Sequence, residues 1–542
     1  MRAPGGKATP SQDGFQHALA LHERGMLPAA EQAYAAILAR QPEHFDALHM
    51  LGVIALQTKR AARGVALISQ ALALNPRAAG AHCNLGIGLH ALKRFEAAVA
   101  SYDTAIALAP NNAGAHNNRG NALHQLQRYE AALASYEAAI ALDPNYVEAY
   151  NNRGATLYDL RRLDEALASY ATAIALKPDY AEAHSNRGVT LRDLQRHVDA
   201  LVSYETAIAL RPDLAEAQWS KGVCLLQMGD FARGWAQYEW RRRLDPPLTF
   251  RSFAQPLWTG QQDIAGKTLF IHHEQGHGDT IQFCRYASLA RARGARVVVS
   301  VPNQLRELLT TLGTGIEIIG GDEDPRDFDY HCPMMSLPLA FGTTLETVPA
   351  RVPYLAADPA RSVRWQGRLA GLPGFRVGLC WAGAPRRHMQ RAHAIDRRRS
   401  IALARYAPLG AIGGVGFVSL QKGDAAAEAV VPPSGLALHD WTHELRDFAD
   451  TAALIAALDL VITVDTSVAH LAGALGTPVW VLNRFDACWR WLTDRTDSPW
   501  YPTARLWRQP AAGDWESVVA DVAVALRGLI GEVRGPDRSP RQ

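Results

Sequence analysis

The sequence has little of what marks a disulfide-rich, membrane-spanning or nucleic-acid-binding protein. Its 542 residues include 6 cysteines that stand far apart without a CxxC pair, so we expect neither a disulfide framework nor a zinc ribbon. The net charge is only +3, which gives no electrostatic reason to expect nucleic acid as a partner. The most apolar run, residues 451–464, contains Asp459 and is shorter than the roughly 20 residues of a membrane span. Residues 1–14 lack the apolar segment of a secretory signal, and we therefore expect a cytoplasmic protein without a transmembrane segment.

A repeat of 34 residues runs through the first half of the chain. Its period is kept by four residue types, namely prolines (Pro42, Pro76, Pro110, Pro144, Pro178, Pro212), glycines (Gly52, Gly86, Gly120, Gly154, Gly188, Gly222), alanines (Ala98, Ala132, Ala166, Ala200) and tyrosines (Tyr102, Tyr136, Tyr170, Tyr204). Each unit predicts two short helices, because glycine and alanine allow close packing, tyrosine fills the space between turns, and proline ends the second helix. The pattern resembles the tetratricopeptide repeat (TPR) family over about residues 11–248. We expect about seven units, of which the end units are degenerate.

Asparagine recurs at the sixth position of successive units. The series is Asn84, Asn118, Asn152 and Asn186. In the TPR family this position faces the concave groove, and the series looks like the asparagine ladder of the O-GlcNAc transferases. An amide both donates and accepts, so such a ladder suits an extended peptide backbone. The resemblance implies a protein or peptide acceptor in the groove, and TPR surfaces also suggest a homo-oligomer. The alternative is that asparagine is simply common here in TPRs.

The second half alternates short apolar runs with helix-length segments, which predicts parallel βαβ units. The predicted strands are 268–272, 296–301, 316–319, 377–380, 416–420, 458–464 and 479–482. A segment with three prolines, residues 348–359, separates the first three strands from the last four. We therefore expect two Rossmann-like lobes, residues 249–365 on the acceptor side and 366–532 on the nucleotide-sugar side. Residues 1–10 and 533–542 are expected to be flexible ends.

A turn after one buried strand is the strongest candidate site. The strand ends at Val464, and Asp465, Thr466 and Ser467 precede a helix that begins with small residues. The free N–H groups and the dipole of such a helix suit a pyrophosphate, and open α/β sheets bind ligands beyond the carboxyl ends of their strands. The alternative is that Asp465 or Thr466 only caps the helix.

The amino-acid sequence of this segment and of the helix that follows resembles that of a known family. Asp465-Thr466-x-x-x-His470 followed by Leu-Ala-x-Ala-Leu-Gly-Thr-Pro resembles the nucleotide-binding segment of the ADP-heptose heptosyltransferases, glycosyltransferase family 9. Three further segments agree with it: the glycine-rich loop Glu274–Asp279, the pair 381–383 and 396–400, and 419–423 with Lys422. The resemblance covers about residues 255–530. Ser467 stands where that family usually has glycine, so the donor is not assumed to be ADP-heptose.

Together with the repeats, the chain looks like the bacterial TPR-linked glycosyltransferases. The resemblance implies an α-solenoid followed by an α/β fold of the glycosyltransferase B type, with an architecture similar to O-GlcNAc transferase. Such enzymes generally invert the anomeric centre without a metal, so no metal site and no cofactor beyond the nucleotide-sugar co-substrate are expected. The DxD motifs at 322–324 and 327–329 are interpreted as solvated loop carboxylates.

The resemblance also implies roles for individual residues. Asp279 is the candidate base, with capping of the next helix as its alternative, and Glu274 is the reserve base beside Gly276 and Gly278 of the acceptor loop. The candidate donor contacts are Asp465, Thr466, Ser467, Val468, His470, Lys422, Gln421, Arg399, Ser400 and Gly383. For His470 the alternative is a role in packing. Three adjacent arginines often lie in a solvated loop, so Arg397, Arg398 and Arg399 cannot be ranked from the sequence.

The function expected from these features is transfer of a sugar from a nucleotide diphosphate to a hydroxyl of a protein or peptide held by the TPR groove. Two alternatives remain open. The acceptor could be a glycan or a lipid-linked molecule, with the repeats serving only for recruitment. The chain could also be a TPR scaffold with an inactive transferase domain.

Overall fold

The computed structural model describes residues 10–245, 251–387 and 389–533. Its contacts divide the chain into two compact units, Met1–Pro212 and Asp213–Gln542. Of the segments expected to be flexible, residues 1–9 and 534–542 lie outside the described residues, whereas Pro10 begins the first helix and Val533 ends the last.

The described part of the first unit consists of antiparallel helix pairs. The helices are α1 (Pro10–Glu23), α2 (Leu27–Arg40), α3 (Phe45–Gln57), α4 (Ala61–Leu74), α5 (Ala79–Ala91), α6 (Phe95–Leu108), α7 (Ala113–Gln125), α8 (Tyr129–Leu142), α9 (Val147–Asp159), α10 (Leu163–Leu176), α11 (Ala181–Asp193) and α12 (His197–Leu210). This is the helical TPR solenoid that the period predicts, with one pair per unit.

In four successive repeats the glycine and the tyrosine pack against each other. A Cβ atom placed on Gly120 would lie 2.6 Å from the ring of Tyr136, and the same holds for Gly154 and Tyr170. Both tyrosines are buried. The glycine is therefore required because its missing side chain makes room for the ring, which confirms the packing inferred from the period.

The second unit adds one more helix pair and then alternates helices with strands. Its helices are α13 (Ala215–Gln227), α14 (Phe231–Tyr238), α15 (His277–Phe283), α16 (Arg285–Ala292), α17 (Arg306–Leu309), α18 (Leu337–Ala340), α19 (Pro359–Leu369), α20 (Gln390–Arg399), α21 (Ala407–Gly410), α22 (Phe448–Ala456), α23 (Ser467–Leu475) and α24 (Trp515–Val533). Its strands are β1 (Thr268–His272), β2 (Arg296–Val301), β3 (Ile316–Gly320), β4 (Tyr330–Pro333), β5 (Phe375–Cys380), β6 (Val415–Ser419), β7 (Leu438–His439), β8 (Leu460–Val464), β9 (Val479–Asn483) and β10 (Ala504–Arg508). A 3-10 turn, Glu239–Arg243, follows α14.

The strands form two parallel sheets. The first has the order β3-β2-β1-β4 and the second the order β10-β9-β8-β5-β6-β7. In each sheet the chain leaves the first strand in one direction and later returns to its other side, so a topological switch point lies between β1 and β4 and another between β5 and β8. Such points are where open α/β sheets bind their ligands. The region is thus an α/β region with parallel sheets, as predicted.

The last helix pair, α13 and α14, belongs to the second unit by its packing. Trp235 of α14 packs edge-to-face on Trp489, with ring centroids 5.3 Å apart, and Phe231 lies 5.9 Å from Trp500. Because these aromatic side chains share one buried cluster with β1 and α15, the compact unit begins at Asp213. The solenoid was expected to extend to residue 248, so its last helix pair also serves as a wall of the α/β region.

Candidate functional site

Three of the candidate donor segments follow three neighbouring strands of the second sheet. Gly383 lies shortly after β5, Lys422 shortly after β6, and Asp465 directly after β8. Because β5 lies between β8 and β6 in a parallel sheet, the three segments leave the same edge. This edge contains the switch point between β5 and β8.

The turn after β8 begins helix α23. Thr466 is the N-cap residue, and its Oγ1 atom accepts a hydrogen bond from the backbone N–H of Val468 at 3.3 Å. The capping alternative is therefore confirmed for Thr466, and it is compatible with ligand binding, since one cap leaves other N–H groups of the first turn available. Burial acts to raise the pKa of Asp465, but Arg399 and other positive neighbours outweigh it, so the pKa lies below its ordinary value.

Gln421 ties the ends of β5 and β6 together. Its Oε1 atom accepts hydrogen bonds from the backbone N–H groups of Trp381 at 3.0 Å and Ala382 at 2.8 Å. Its Nε2 atom donates to the carbonyls of Ala382 at 3.1 Å and Lys422 at 2.9 Å. Since the buried amide uses both of its ends within the protein, Gln421 sets the shape of the edge.

Arg399 is the one of the three adjacent arginines that reaches the turn after β8. Its Nη1 atom donates to the backbone carbonyl of Asp465 at 2.8 Å, and its Nη2 atom pairs with Asp396. Arg398 pairs instead with Asp486 at 3.3 Å, and Arg397 is exposed. The structure thereby separates three residues that the sequence could not rank.

The arginines were considered as a solvated loop, but they form the last turn of α20. Positive side chains there complement the partial negative charge of a helix carboxyl end. A Cβ atom on Gly383 would lie 2.6 Å from the Arg399 guanidinium, so a glycine lets this side chain lie against the loop after β5. Ser400 accepts a hydrogen bond from the Gly383 N–H at 3.1 Å, which fixes that loop.

Lys422 lies on the exposed side of the same edge. Its ammonium donates to the backbone carbonyl of Thr442 at 3.2 Å and to that of Leu445. Carbonyls compensate only part of a positive charge, and the side chain is exposed. An ammonium held in this way remains able to attract an anion.

The glycine-rich loop after β1 meets this edge through α15. Gly276 is the N-cap of α15, and its backbone N–H donates to Asp279 Oδ2 at 2.8 Å. A Cβ atom on Gly278 would lie 2.8 Å from the ring of His470 and 3.4 Å from Ser467 Cα. Glycine at 278 therefore allows α15 to approach the first turn of α23, which brings Asp279 close to the predicted donor turn.

Asp279 has a partner that the sequence did not indicate. Arg490 donates to Asp279 Oδ1, and both side chains are largely buried. The Arg490 guanidinium also lies 4.3 Å from the centre of the Trp489 ring. Asp279 is not the N-cap residue that the alternative proposed, because α15 begins at His277. It lies at the third position of the helix, accepts from the N–H of the N-cap residue Gly276, and is also the carboxylate of an ion pair with Arg490.

Glu274, the reserve base, lies in a buried ion pair. Its side chain is 4 % exposed and accepts from Arg241, which is fully buried, at 2.9 Å. The backbone N–H of Met335 also donates to it at 3.1 Å. Burial raises the pKa of Glu274, although Arg241 acts in the opposite direction. This setting favours a structural role for Glu274 over the role of a base.

His470 packs inside the junction. Its Nδ1 atom lies 3.0 Å from the hydroxyl of Tyr501, and its ring stacks on Trp491 at 5.3 Å between centroids. Burial lowers the pKa of His470 to about 4, so the imidazole is neutral near pH 7. Of the two roles weighed for it, these contacts favour packing.

The asparagine ladder of the first unit is linked internally. Asn152 Nδ2 donates to Asn117 Oδ1 at 3.1 Å, and Asn186 Nδ2 donates to Asn151 Oδ1 at 3.0 Å. Asn84 bonds to His49 at 3.0 Å in the same way, and Asn118 lies beside Cys83. Each ladder residue thus contacts the residue 35 positions earlier, which orients its amide while leaving it half-buried.

One carboxylate of each DxD motif has a partner within the protein. Asp324 pairs with Arg251 at 2.8 Å, and Asp329 accepts from the backbone N–H of Thr268 at 2.8 Å. Among the described residues, no group of three or more His, Cys, Asp or Glu side chains is placed to hold a metal ion. Nor does any helix in the described ranges have the length and apolar character needed to cross a membrane.

Family models match both halves of the chain. A TPR repeat model matches residues 88–127, 120–161 and 156–195, and a tetratricopeptide repeat model matches 15–79. The model of glycosyltransferase family 9 (heptosyltransferase) matches residues 446–482, which include α22, β8, α23 and β9. That match contains the turn Asp465–Ser467 but neither Asp279 nor Lys422.

Whole proteins are similar over part of the chain. Protein FlbA of Caulobacter vibrioides is 31% identical over 325 residues, which are 55% of this chain and 53% of FlbA. The chain thus spans about half the length of this curated relative. Among solved structures, YrrB, described as a TPR protein with an unusual peptide-binding site, is 25% identical, with 35% of this chain and 98% of YrrB covered and a TM-score of 0.30. Pseudomonas aeruginosa pilF is 21% identical, with 38% and 94% covered and a TM-score of 0.34. The chain therefore carries TPR repeats followed by an α/β region, part of which matches glycosyltransferase family 9.

Proposed function

We propose that the protein is a nucleotide-sugar-dependent glycosyltransferase with a fold of the glycosyltransferase B type. The observation that carries this proposal is the convergence of Arg399, Lys422 and the first turn of α23 at the switch point between β5 and β8. Residues 249–365 form the acceptor lobe and 366–532 the donor lobe in this proposal. The family 9 match to residues 446–482 supports it.

The proposed chemistry is inverting transfer without a metal. As the glycosidic bond breaks, the leaving diphosphate gains negative charge. The N–H groups and dipole of α23 stabilise that charge, together with the guanidinium of Arg399 and the ammonium of Lys422. These groups are positioned by the protein before the ligand arrives, because Gln421 and Ser400 fix the loops that carry them.

Asp279 is the proposed base that takes the proton of the acceptor hydroxyl. Its carboxylate accepts hydrogen bonds from Arg490 and from the Gly276 N–H, which hold it in position. In this proposal the carboxylate faces the sugar of a donor bound at the first turn of α23. The acceptor in this proposal is a protein or peptide whose backbone the ladder Asn84–Asn186 recognises.

Nucleotide binding tests the donor site. We expect one of UDP, GDP, ADP, dTDP and CMP to raise the melting temperature without added metal. At about 100 times its dissociation constant, a ligand bound only to the folded state stabilises it by about 2.7 kcal/mol. Arg399→Ala and Lys422→Ala should each weaken that shift, while Arg397→Ala, a matched change at an exposed neighbour, should leave it intact. No shift with any nucleotide, or equal shifts in all three variants, would reject the donor site.

Transfer itself tests the catalytic proposal. With the nucleotide sugar that binds, Asp279→Asn should abolish transfer but keep nucleotide binding, and the exposed Asp521→Asn serves as its control. Residues 213–542 form a compact unit, so this fragment should bind nucleotide without modifying a protein acceptor. Transfer by the fragment at the full rate would instead favour a glycan or lipid-linked acceptor.

A second function is supported by a specific observation. The side chains of Asp279 and Gln421 both form hydrogen bonds within the protein, as expected for a scaffold whose transferase half is inactive. The two functions differ in the donor assay. A scaffold would not bind a nucleotide, and Lys422→Ala would leave its melting temperature in the presence of nucleotides unchanged.

A further inference from the structure

A basic cavity lies beside the first sheet, on elements that the proposed donor site does not use. Its volume is about 620 Å³, which is within the range of small-molecule sites. Its walls include Glu239, Trp240, Arg242, Arg243, Arg251 and His331. We refer to it as the arginine cavity.

The arginine cavity lies at the switch point between β1 and β4. His331 belongs to β4, and its ring nitrogen lies 3.3 Å from that of His272, the last residue of β1. Arg251 donates to Ser300 Oγ near the end of β2 at 3.0 Å. The cavity therefore opens over the carboxyl ends of three neighbouring strands, the edge at which open α/β sheets bind ligands.

Carboxylates compensate only part of the positive charge around the cavity. Glu239 accepts from Ser336 and from the buried Arg241, and it also lies 3.9 Å from Arg242, so this one carboxylate is shared between two arginines. Arg251 pairs with Asp324 at 2.8 Å. Arg243 is exposed, and its guanidinium lies 4.6 Å from the centre of the Trp240 ring.

Two histidines beside the cavity, His272 and His331, have lowered pKa values to which its arginines contribute. Burial, together with His331 and Arg251, lowers the pKa of His272 to about 3. Burial and Arg242 lower the pKa of His331. Both rings are therefore neutral near pH 7 and add no charge, so the anion-binding capacity of the cavity rests on its arginines.

We propose that the arginine cavity is a second anion site, which binds a small molecule of sugar size that carries a phosphate or carboxylate group. The guanidinium groups of Arg242 and Arg243 bind the oxyanion, and Trp240 and Phe253 of the wall contact the body of the ligand. The site does not depend on the proposed transferase activity, because it shares none of its residues with the donor site.

The test measures binding of glucose 1-phosphate, glucuronate and glucose by isothermal titration calorimetry on the full chain. We expect the two anions, or glucose 1-phosphate alone, to bind, and glucose not to bind. Because a hydrogen bond to a charged group contributes about 1.5–3 kcal/mol, Arg243→Ala and Arg242→Ala should each raise the dissociation constant about tenfold or more. Arg296→Ala removes the same charge at the opposite, amino-terminal end of β2 and should change nothing.

Lys422→Ala separates this site from the donor site. If Arg243→Ala weakens binding while Lys422→Ala does not, the second site stands even when every nucleotide fails to bind and the proposed function is rejected. If binding is unchanged in both Arg243→Ala and Arg242→Ala, or is lost only in Lys422→Ala, the inference is wrong. Equal binding of neutral glucose would also overturn it. Circular dichroism of the variants checks that a loss of binding is not a loss of folding, which is not expected at two exposed positions.

Discussion

Removal of Glu274 should destabilise the second unit far more than removal of an exposed glutamate with the same kind of partner. Glu274 accepts from Arg241 at 2.9 Å, and the side chains of the pair are 4 % and 0 % exposed. Glu317 pairs with Arg296 at 3.0 Å, but these side chains are 51% and 69% exposed. The two pairs therefore differ mainly in burial.

The magnitude follows from what each substitution leaves behind. Glu274→Ala removes one of the two carboxylates that pair with the buried Arg241 guanidinium, and loss of one partner of a buried ion pair typically costs about 3–5 kcal/mol. We expect about 3 kcal/mol, the lower end, because Glu239 remains bonded to Arg241. Glu317→Ala should cost less than about 1 kcal/mol, since an exposed pair is largely replaced by water.

Tryptophan fluorescence during urea unfolding is a suitable assay. All 13 tryptophans lie between Trp219 and Trp515, so the signal reports the second unit alone. The double variant Arg241→Met, Glu274→Leu should be more stable than Glu274→Ala, because it removes the uncompensated charge as well. If Glu274→Ala costs no more than Glu317→Ala, or if the double variant is the least stable, then charge compensation at Arg241 is not what Glu274 provides.

Three further predictions concern packing, pH and capping. Gly120→Ala should lower the unfolding free energy by about 1–3 kcal/mol because it forces a methyl group into the ring of Tyr136. Gly80→Ala, where space is open, should not destabilise the first unit, and circular dichroism during urea unfolding compares the two variants. The pKa of His470 is about 4 in the folded protein and near 6.5 in the unfolded chain, so the unfolding free energy should fall as the pH drops below 6.5, by about 2 kcal/mol at pH 5. His470→Gln should flatten the pH profile of the unfolding free energy, and an unchanged profile would contradict this. Thr466→Ala should lower the unfolding free energy by about 1 kcal/mol through loss of the α23 cap. Urea unfolding followed by tryptophan fluorescence measures this, and an unfolding free energy equal to or above that of the unsubstituted protein would count against the cap.

The repeats could be predicted from sequence because four residue types keep one period and each has a packing reason. The turns inside the repeats could not. Lys59, Lys93, Gln127, Arg161 and Gln195 all have positive φ angles at equivalent positions, with Gly25 and Gly229 in the end units. Only those end units have glycine, the residue type from which such a turn can be predicted. In the other units the neighbouring helices impose the turn on residues that do not favour it.

In the α/β region, apolar strands were predicted and less regular ones were not. The seven predicted strands occur within about two residues of their expected bounds, but β4, β7 and β10 were missed. β4 ends in Pro333, β7 has two residues, and β10 has arginines at its second and fifth positions, so none shows a long apolar run. Helix α20 was missed because its sequence QRAHAIDRRR has no apolar stripe.

The site shows where inference from the sequence ends. Residue types at strand ends indicated the edge proposed as the donor site, since the carboxyl ends of parallel strands share one side of a sheet. Partners from distant positions could not be inferred, because Arg490 is separated from Asp279 by 211 residues and Arg241 from Glu274 by 33. No local spacing encodes such pairs, and they determine which carboxylate remains a candidate base.

The way the polar groups are paired bears on how a charged ligand would be bound. Gln421 and Thr466 satisfy their hydrogen bonds within the protein, so these buried groups are not left bare when no ligand is bound. Lys422 is exposed and keeps most of its hydration, whereas Arg399 is only 18 % exposed and is held by Asp465 and Asp396. An edge built this way is rigid in its neutral groups and in Arg399, and it is accessible at Lys422. This is the arrangement expected where stabilisation of a developing negative charge requires little reorganisation of the protein.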